Sequence, residues 1–319
     1  MAKRKNRKKK STNKFFFKIP FLLVILTVLT LISLSFIGSS KHRNPILTYE
    51  DENIEQRQNT VPKDVIAMVK GEKKVLGVNT AKNTVPQKSV HVPILMYHYV
   101  EYVKDRGDRI RISLDTTPYT LEEEIKTLVG GGYTFITASE LAEAIDGKRQ
   151  LPTKPIVLTF DDGYRDFYTD AYPILKKYHA KATQYVISGF LDVNRNHMLS
   201  SQVAEIASEG LVEIGAHTVN HVWLKGQSQE ILKYEAAQSK KTLEEAIRRP
   251  IVSFAYPYGA FDAQTITAVK KVGYTSATST IPGIDQSQSN EFFLYRLRPG
   301  GRTGEGLLSW LSSVTNPAN

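Results

Sequence analysis

From His91 onward, short apolar runs alternate with amphipathic stretches of helical period, and this restricts the chain to a parallel-strand α/β architecture. Pro155-Ile-Val-Leu-Thr-Phe160 is the clearest run. It offers no polar face, so it belongs to a strand covered on both sides. Val92–Tyr97, Leu211–Ile214 and Ile251–Ala255 read as further strands. The intervening helices are marked by their ends. Thr120-Leu-Glu-Glu123 reads as a capping box, with Leu121, Ile125 and Leu128 at i, i+4, i+7 spacing and a stop at Gly130-Gly-Gly132. Thr137-Ala-Ser-Glu140 opens a second helix carrying Leu141 and Ile145, and Ser228–Ile247 reads as mostly helix. Asp262 caps another, with Ile266, Val269 and Val272 on one face and Gly273 at its end. Repeated strand–helix alternation favours a parallel barrel over an open sheet.

The residues at the C-terminal end of each strand carry the chemistry. Val92–Tyr97 delivers His98, the run to Phe160 delivers Asp161-Asp162, Leu211–Ile214 delivers His217 and His221, and Ile251–Ala255 delivers Tyr256-Pro257-Tyr258-Gly259. In a parallel barrel these groups converge at the C-terminal mouth. Adjacent buried aspartates repel, and the conflict is resolved if one ligates a metal while its neighbour acts as base. Taken alone, Asp-Asp-Gly is equally good turn chemistry. The pair His217 and His221 has i, i+4 spacing, which on a helical turn aims both imidazoles the same way. Imidazole with carboxylate is the donor set of a catalytic metal centre. By contrast, Lys233–Arg249 mixes charges as a solvated helix face does, and His42, His179 and His197 stand in no motif. Phe135, Phe190 and Trp223 read as core ahead of the alternative, sugar platforms.

The formal charge of +10 is a property of one end. Nine basic residues fall within 1–18, and without them the 42 become 33 against 32 acidic residues, which argues against a nucleic-acid surface. The tail runs into Ile19–Ile37, nineteen uncharged residues, long enough for a helix across a bilayer. Preceding lysines and arginines hold that end in the cytoplasm, so the expectation is a single-pass membrane anchor, with a cleaved signal peptide as the alternative reading and everything beyond Lys41 outside the cell. With no cysteine, the exported part holds together without disulfides. The expected organisation is a basic tail (1–18), a transmembrane anchor (19–37), a stalk (41–89) and a catalytic domain (90–312).

These residues resemble the polysaccharide deacetylases of the NodB-homology type, carbohydrate esterase family 4. Thr159-Phe-Asp-Asp-Gly-Tyr164 is similar to the first motif of that family, His217-Thr-Val-Asn-His221 to the second and Phe254-Ala-Tyr-Pro-Tyr-Gly259 to the third. Gly273-Tyr-Thr-Ser-Ala277 and Tyr295-Arg-Leu-Arg298 resemble later, weaker motifs. The likeness spans about Val92 to Trp310. Two departures stand out. Ala255 occupies the place where many members carry an arginine, and no histidine lies beyond His221. Instead, Pro93-Ile-Leu-Met-Tyr-His98 precedes the first motif, an arrangement similar to the subgroup acting on poly-N-acetylglucosamine.

The resemblance implies a distorted parallel (β/α) barrel and a hydrolase removing N-acetyl groups from an N-acetylglucosamine polymer, either peptidoglycan or poly-N-acetylglucosamine. It implies that Asp162, His217 and His221 hold a divalent cation, zinc first, with cobalt, nickel or iron as the others. It makes Asp161 the general base and His98 the acid. The backbone N–H of Tyr258, set by the Pro257 turn, becomes an oxyanion donor. Arg296 replaces the missing arginine, with Arg298 as second choice. Two other readings stay open at this level: an O-acetyl esterase on a polymer such as acetylxylan, and an inactive, membrane-tethered glycan-binding module.

Overall fold

The computed structural model describes residues 60–75 and 89–315. The basic tail and the apolar span at 19–37 lie outside the described residues, as does most of 41–89. Among the described residues no helix is long and apolar enough to cross a membrane. Part of the expected stalk is helical: Lys63–Val75 forms α1. Its Val65 is fully buried in the main core, and Asp64 accepts the Ala263 N–H at 2.9 Å.

Among the described residues the central sheet has seven strands, six of them in a row: β2 (Ile94–Tyr97), β4 (Pro155–Phe160), β5 (Ala182–Val186), β6 (Val212–Ala216), β7 (Ser253–Ala255) and β8 (Ser276–Thr278). They lie in that order and every pairing is parallel. The short β3 (Thr134–Ile136) also pairs with β4, in parallel. Between strands run α2 (Arg109–Leu114), α3 (Pro118–Gly130), α4 (Ala138–Ile145), α5 (Tyr172–Tyr178), α6 (Ser200–Ser208), α7 (Gln229–Ile247) and α8 (Ala263–Val272), and α9 (Gly304–Thr315) comes after the last strand. A separate antiparallel ribbon joins β1 (Val90–His91) to β9 (Asp285–Gln286).

The parallel alternation expected from the sequence is present, but the sheet's edges are not joined by a regular strand. Residues 294–297 bridge them. Leu294 N–H donates to Ala277 O beside β8 at 2.8 Å, while Leu297 N–H donates to Ile94 O at 2.8 Å and its carbonyl accepts from Met96 N–H at 2.9 Å. This bridge carries Arg296 into the space enclosed by the sheet.

Side chains alternate across the strands. On β4, Ile156, Leu158 and Phe160 join the main core with Leu121, Ile125 and Leu128 of α3. Val157 packs instead with Ile94 and Leu294 on the concave face. That face turns polar further along, where Thr183 and Ser253 hydroxyls donate to Glu213 at 3.1 and 2.6 Å. Gly215 is required there, since a Cβ would stand 2.4 Å from the Tyr185 ring.

Helix ends match the expected chemistry with one correction. The Thr137–Glu140 capping box, the Asp262 cap and the left-handed Gly273 stop are all present. The helix expected to start at Thr120 starts a turn earlier, at Pro118. Thr117 is its cap, accepting from Thr120 N–H at 3.1 Å, because proline's fixed φ suits the first helical position.

Glu124 of α3 is fully buried and accepts the Tyr97 hydroxyl at 2.8 Å, while its other oxygen has no hydrogen-bond partner. Burial pushes its carboxyl up to about 7 from the ordinary 4.5, against a smaller opposing effect of the Tyr97 bond. A raised carboxyl stabilises the fold below pH 4.5 and loses that contribution as pH rises through 7, by on the order of 2–3 kcal/mol. Glu124→Gln is therefore expected to gain thermal stability relative to the parent between pH 5 and pH 8 in calorimetric melts. An offset that is the same at both pH values would contradict the buried titration.

Candidate active site

His98, Asp161 and His217 continue β2, β4 and β6 in the concave-facing register, each two residues beyond an inward position, so strand alternation alone brings them to one mouth. Asp161 is 2% exposed and meets Arg296 in a two-pronged pair, Nη1 to Oδ1 at 2.8 Å and Nη2 to Oδ2 at 2.7 Å. The guanidinium is itself held, donating from Nε to Ser279 O at 2.7 Å and from Nη1 to Thr159 Oγ1 at 3.1 Å. Burial alone would raise the Asp161 carboxyl. The Arg296 charge and hydrogen bonds, then His98 and His217, outweigh it and keep the group below its ordinary range. Asp161 is thus ionised at neutral pH. His98 is also buried, its Nε2 3.9 Å from Asp161 Oδ2.

Asp162 would face outward by alternation, but its φ of 73° turns it back into the mouth. Its Oδ1 lies 3.3 Å from His217 Nε2 and 3.2 Å from His221 Nε2. The donor atoms of the three residues all lie within 4.8 Å of one another. His217 Nδ1 stands 2.8 Å from Ala255 O, which can only accept. Nδ1 therefore carries the proton, and the Nε2 lone pair faces Asp162. Asp162 Oδ1 is buried with no hydrogen-bond partner. Asp162 Oδ1 therefore calls for positive charge beside the His217 lone pair, a bound cation or, without one, a proton on the imidazole, and this donor set fits a bound cation. Burial opposes charge on both Asp162 and His217. The histidines nevertheless hold Asp162 well below its ordinary range, and the two carboxylates with the Ala255 carbonyl lift His217 above its own.

The histidines do not converge on a helical turn, as their spacing suggests. Residues 217–221 form a loop in which Thr218 and His221 take left-handed φ values of 67° and 55°. Such conformations cost on the order of 1–3 kcal/mol each and need support. Thr218 Oγ1 accepts the His221 N–H at 2.9 Å, and Ser239 Oγ donates to Thr218 O at 3.0 Å. The main support is Glu235 of α7, 3% exposed, which accepts from Val219 N–H at 2.8 Å, Asn220 N–H at 3.0 Å and Asn220 Nδ2 at 2.8 Å. The mixed charges of this stretch suggest a solvated face, and the structure corrects that. The overlooked signal is that Glu235 and Ser239 fall on the same stripe as Leu232, Ala236 and Leu243.

Pro257 begins a tight turn through Gly259 in which Tyr258 has φ 58°, and the Tyr258 ring lies 4.6 Å from that of His221. Gly259 at φ 65° has no substitute, because a Cβ would stand 2.0 Å from Thr280 Oγ1. Ala255 supplies a carbonyl rather than a side chain, and it is Arg296, not Arg298, that meets Asp161. Three further residues border the cluster: Tyr164, which ends the first motif without a role assigned to it there, and Tyr99 and His197, which stand in no motif. Tyr164, whose hydroxyl is raised by burial and then by Asp162, stacks on Tyr99 with centroids 3.9 Å apart. His197 is buried against Tyr164 and Phe190, and burial pushes it down to about 4.

Comparison with known proteins identifies the family. Residues 148–277 match the family "Polysaccharide deacetylase". The Bacillus subtilis protein YxkH, named as a polysaccharide deacetylase, is 31% identical over 229 residues, covering 72% of this chain and 78% of its own. The poly-β-1,6-N-acetyl-D-glucosamine N-deacetylase of Staphylococcus aureus is 28% identical, over 55% of this chain and 64% of its own; that of Escherichia coli K12 is 26% identical, over 56% and 32%. This chain thus spans less than two thirds of either. Among solved structures, the Streptococcus pyogenes deacetylase PplD, in complex with acetate, superposes with TM-score 0.64 at 29% identity, over 71% of this chain and 99% of that one. The chain belongs to the polysaccharide deacetylase family and is a hydrolase of that class.

The Glu235 support generates a prediction. Glu235→Ala removes three hydrogen bonds from the loop between the histidines, and zinc affinity in competition with a chromogenic chelator is expected to fall about 10–100-fold. Glu205→Ala, an exposed partner of Tyr168, leaves affinity unchanged. Parental affinity in Glu235→Ala would mean that the loop keeps its shape unaided.

Proposed function

We propose that this polysaccharide deacetylase removes N-acetyl groups from N-acetylglucosamine units of a cell-surface polymer, poly-N-acetylglucosamine or peptidoglycan, with a divalent cation held by Asp162, His217 and His221. Zinc is the first choice; cobalt, nickel and iron suit the same donors. The carrying observation is Asp162 Oδ1, buried without a hydrogen bond and flanked by two imidazole Nε2 atoms, beside an Asp161 kept ionised. A bound divalent cation supplies Lewis acidity, polarising the acetamide carbonyl and acidifying water.

The chain's own groups supply the rest. Asp161, fixed in place by Arg296, accepts a proton from the attacking water. The Tyr258 N–H, set by the Pro257 turn, donates to the carbonyl oxygen as it becomes negative. His98, buried beside Asp161, gives a proton to the departing nitrogen. Acetate and a free glucosamine amine leave. The buried imidazole favours N-acetyl over O-acetyl substrates, since an amine departs from a tetrahedral centre only once protonated. Similarity to poly-N-acetylglucosamine deacetylases of two organisms supports the polymer class. The basic tail and the apolar span at 19–37 support a single-pass anchor with the catalytic domain outside the cell.

The test is acetate release from poly-N-acetylglucosamine, peptidoglycan, chitin oligomers and acetylxylan, with and without chelator. Release is expected from N-acetylated polymers only, lost on chelation and restored by zinc. Release from acetylxylan alone, or insensitivity to chelator, would contradict the proposal. Asp161→Asn is expected to retain zinc and lose at least about 100-fold in turnover. His217→Ala is expected to lose the metal as well, so unchanged metal content in that variant removes it from the ligand set. A near-normal rate in His98→Ala sends the acid role elsewhere.

A further inference from the structure

Trp223 reads as core in the sequence, yet it is only partly buried, as is Tyr258. Neighbouring aromatics such as Phe254, Tyr256 and Phe261 are fully buried. The Trp223 and Tyr258 rings stack with centroids 6.3 Å apart at 29°, and Tyr258 in turn touches the ring of His221. An aromatic surface therefore continues outward from the cation cluster. Its backbone is pinned throughout. Leu224, next to Trp223, is 1% exposed and anchors the loop in the core. Trp223 O accepts from Gln227 Nε2 at 2.9 Å, and Gly226 N–H donates to Asp262 Oδ2 at 2.9 Å. Tyr258 is held by the Pro257–Gly259 turn.

We infer that Trp223 and Tyr258 form a platform for a sugar ring next to the one being deacetylated, so the enzyme takes internal units of a polymer rather than a free monosaccharide. This rests on the N-deacetylase reading above. A pyranose presents an apolar face of C–H groups with hydroxyls around its rim, and a partly exposed aromatic face beside a polar cluster is its complement. Because the loop is ordered before binding, little conformational entropy remains to be lost when the sugar docks. Continuity with His221 places that ring within reach of the same chain whose acetamide enters the cluster. Trp223 is thus a positioning residue that sets preference for chain length.

The test measures acetate release from N-acetylglucosamine oligomers of two to six units. The parent is expected to gain in kcat/KM with length. In Trp223→Ala that gain is lost, mainly through KM, with about tenfold or more lost on the hexamer, the scale of truncating an aromatic anchor. Trp223→Phe restores most of it. Equal slowing at all lengths, or a change in kcat alone, would overturn the platform. Binding gives a separate readout: hexamer is expected to shift the tryptophan emission of the Asp161→Asn protein and not that of Asp161→Asn with Trp223→Phe. A shift without acetate release from the parent would sink the deacetylation reading and keep the platform. Acetate release with no emission shift and no length effect of Trp223 would do the reverse.

Discussion

Two carboxylates adjacent in sequence, Asp161 and Asp162, are buried side by side, and most of the site is arranged around that fact. Each buried ion carries a desolvation penalty of several kcal/mol, and two like charges add repulsion. The structure separates their fates. Asp161 receives a guanidinium in two-pronged contact, while Asp162 is turned by a left-handed φ toward two imidazoles. One carboxylate is neutralised by the protein itself. The other faces two imidazoles, and the positive charge it calls for is that of a cation or, without one, of a proton on the rings.

The same demand explains the irregular parts of the fold. Arg296 reaches Asp161 only because residues 294–297 cross from β8 to β2, so the bridge joining the sheet edges also delivers the counter-ion. The loop at 217–221 bends into strained conformations to bring two histidines onto one oxygen, and a third buried carboxylate, Glu235, holds it there through backbone N–H groups. Of the eight non-glycine residues with left-handed φ among the described residues, four, Asp162, Thr218, His221 and Tyr258, lie at the site, and hydrogen bonds to Thr218 and Glu235 hold the loop that carries two of them.

How much of this is legible in the sequence depends on how local each cause is. Strand runs and helix caps are local, so the α/β alternation and the delivery of His98, Asp161 and His217 at strand ends can be read directly. The Thr117 cap escapes by one turn because Pro118 competes with the Thr120 box for the helix start. The two imidazoles meet at Asp162 through a loop and not on a helical turn, since backbone φ is not written in i, i+4 spacing. Glu235 is hidden because a charged residue on a mixed helix looks solvated unless its place on the apolar stripe is checked. The Asp161–Arg296 pairing spans 135 residues and depends on the bridge, which has no periodicity to announce it. Trp223 is only partly buried, and hydrophobicity alone does not separate a partly exposed ring from an interior one.

The proposed reaction depends on one oxygen, Asp162 Oδ1, sharing a divalent cation with His217 and His221. Diffraction from zinc-soaked crystals, recorded on either side of the zinc absorption edge, tests this most directly. The predicted result is one strong anomalous peak among these three residues, with nitrogen and oxygen ligands at about 2.0–2.2 Å. A peak elsewhere on the protein, or none at this cluster in zinc-soaked crystals, would contradict it.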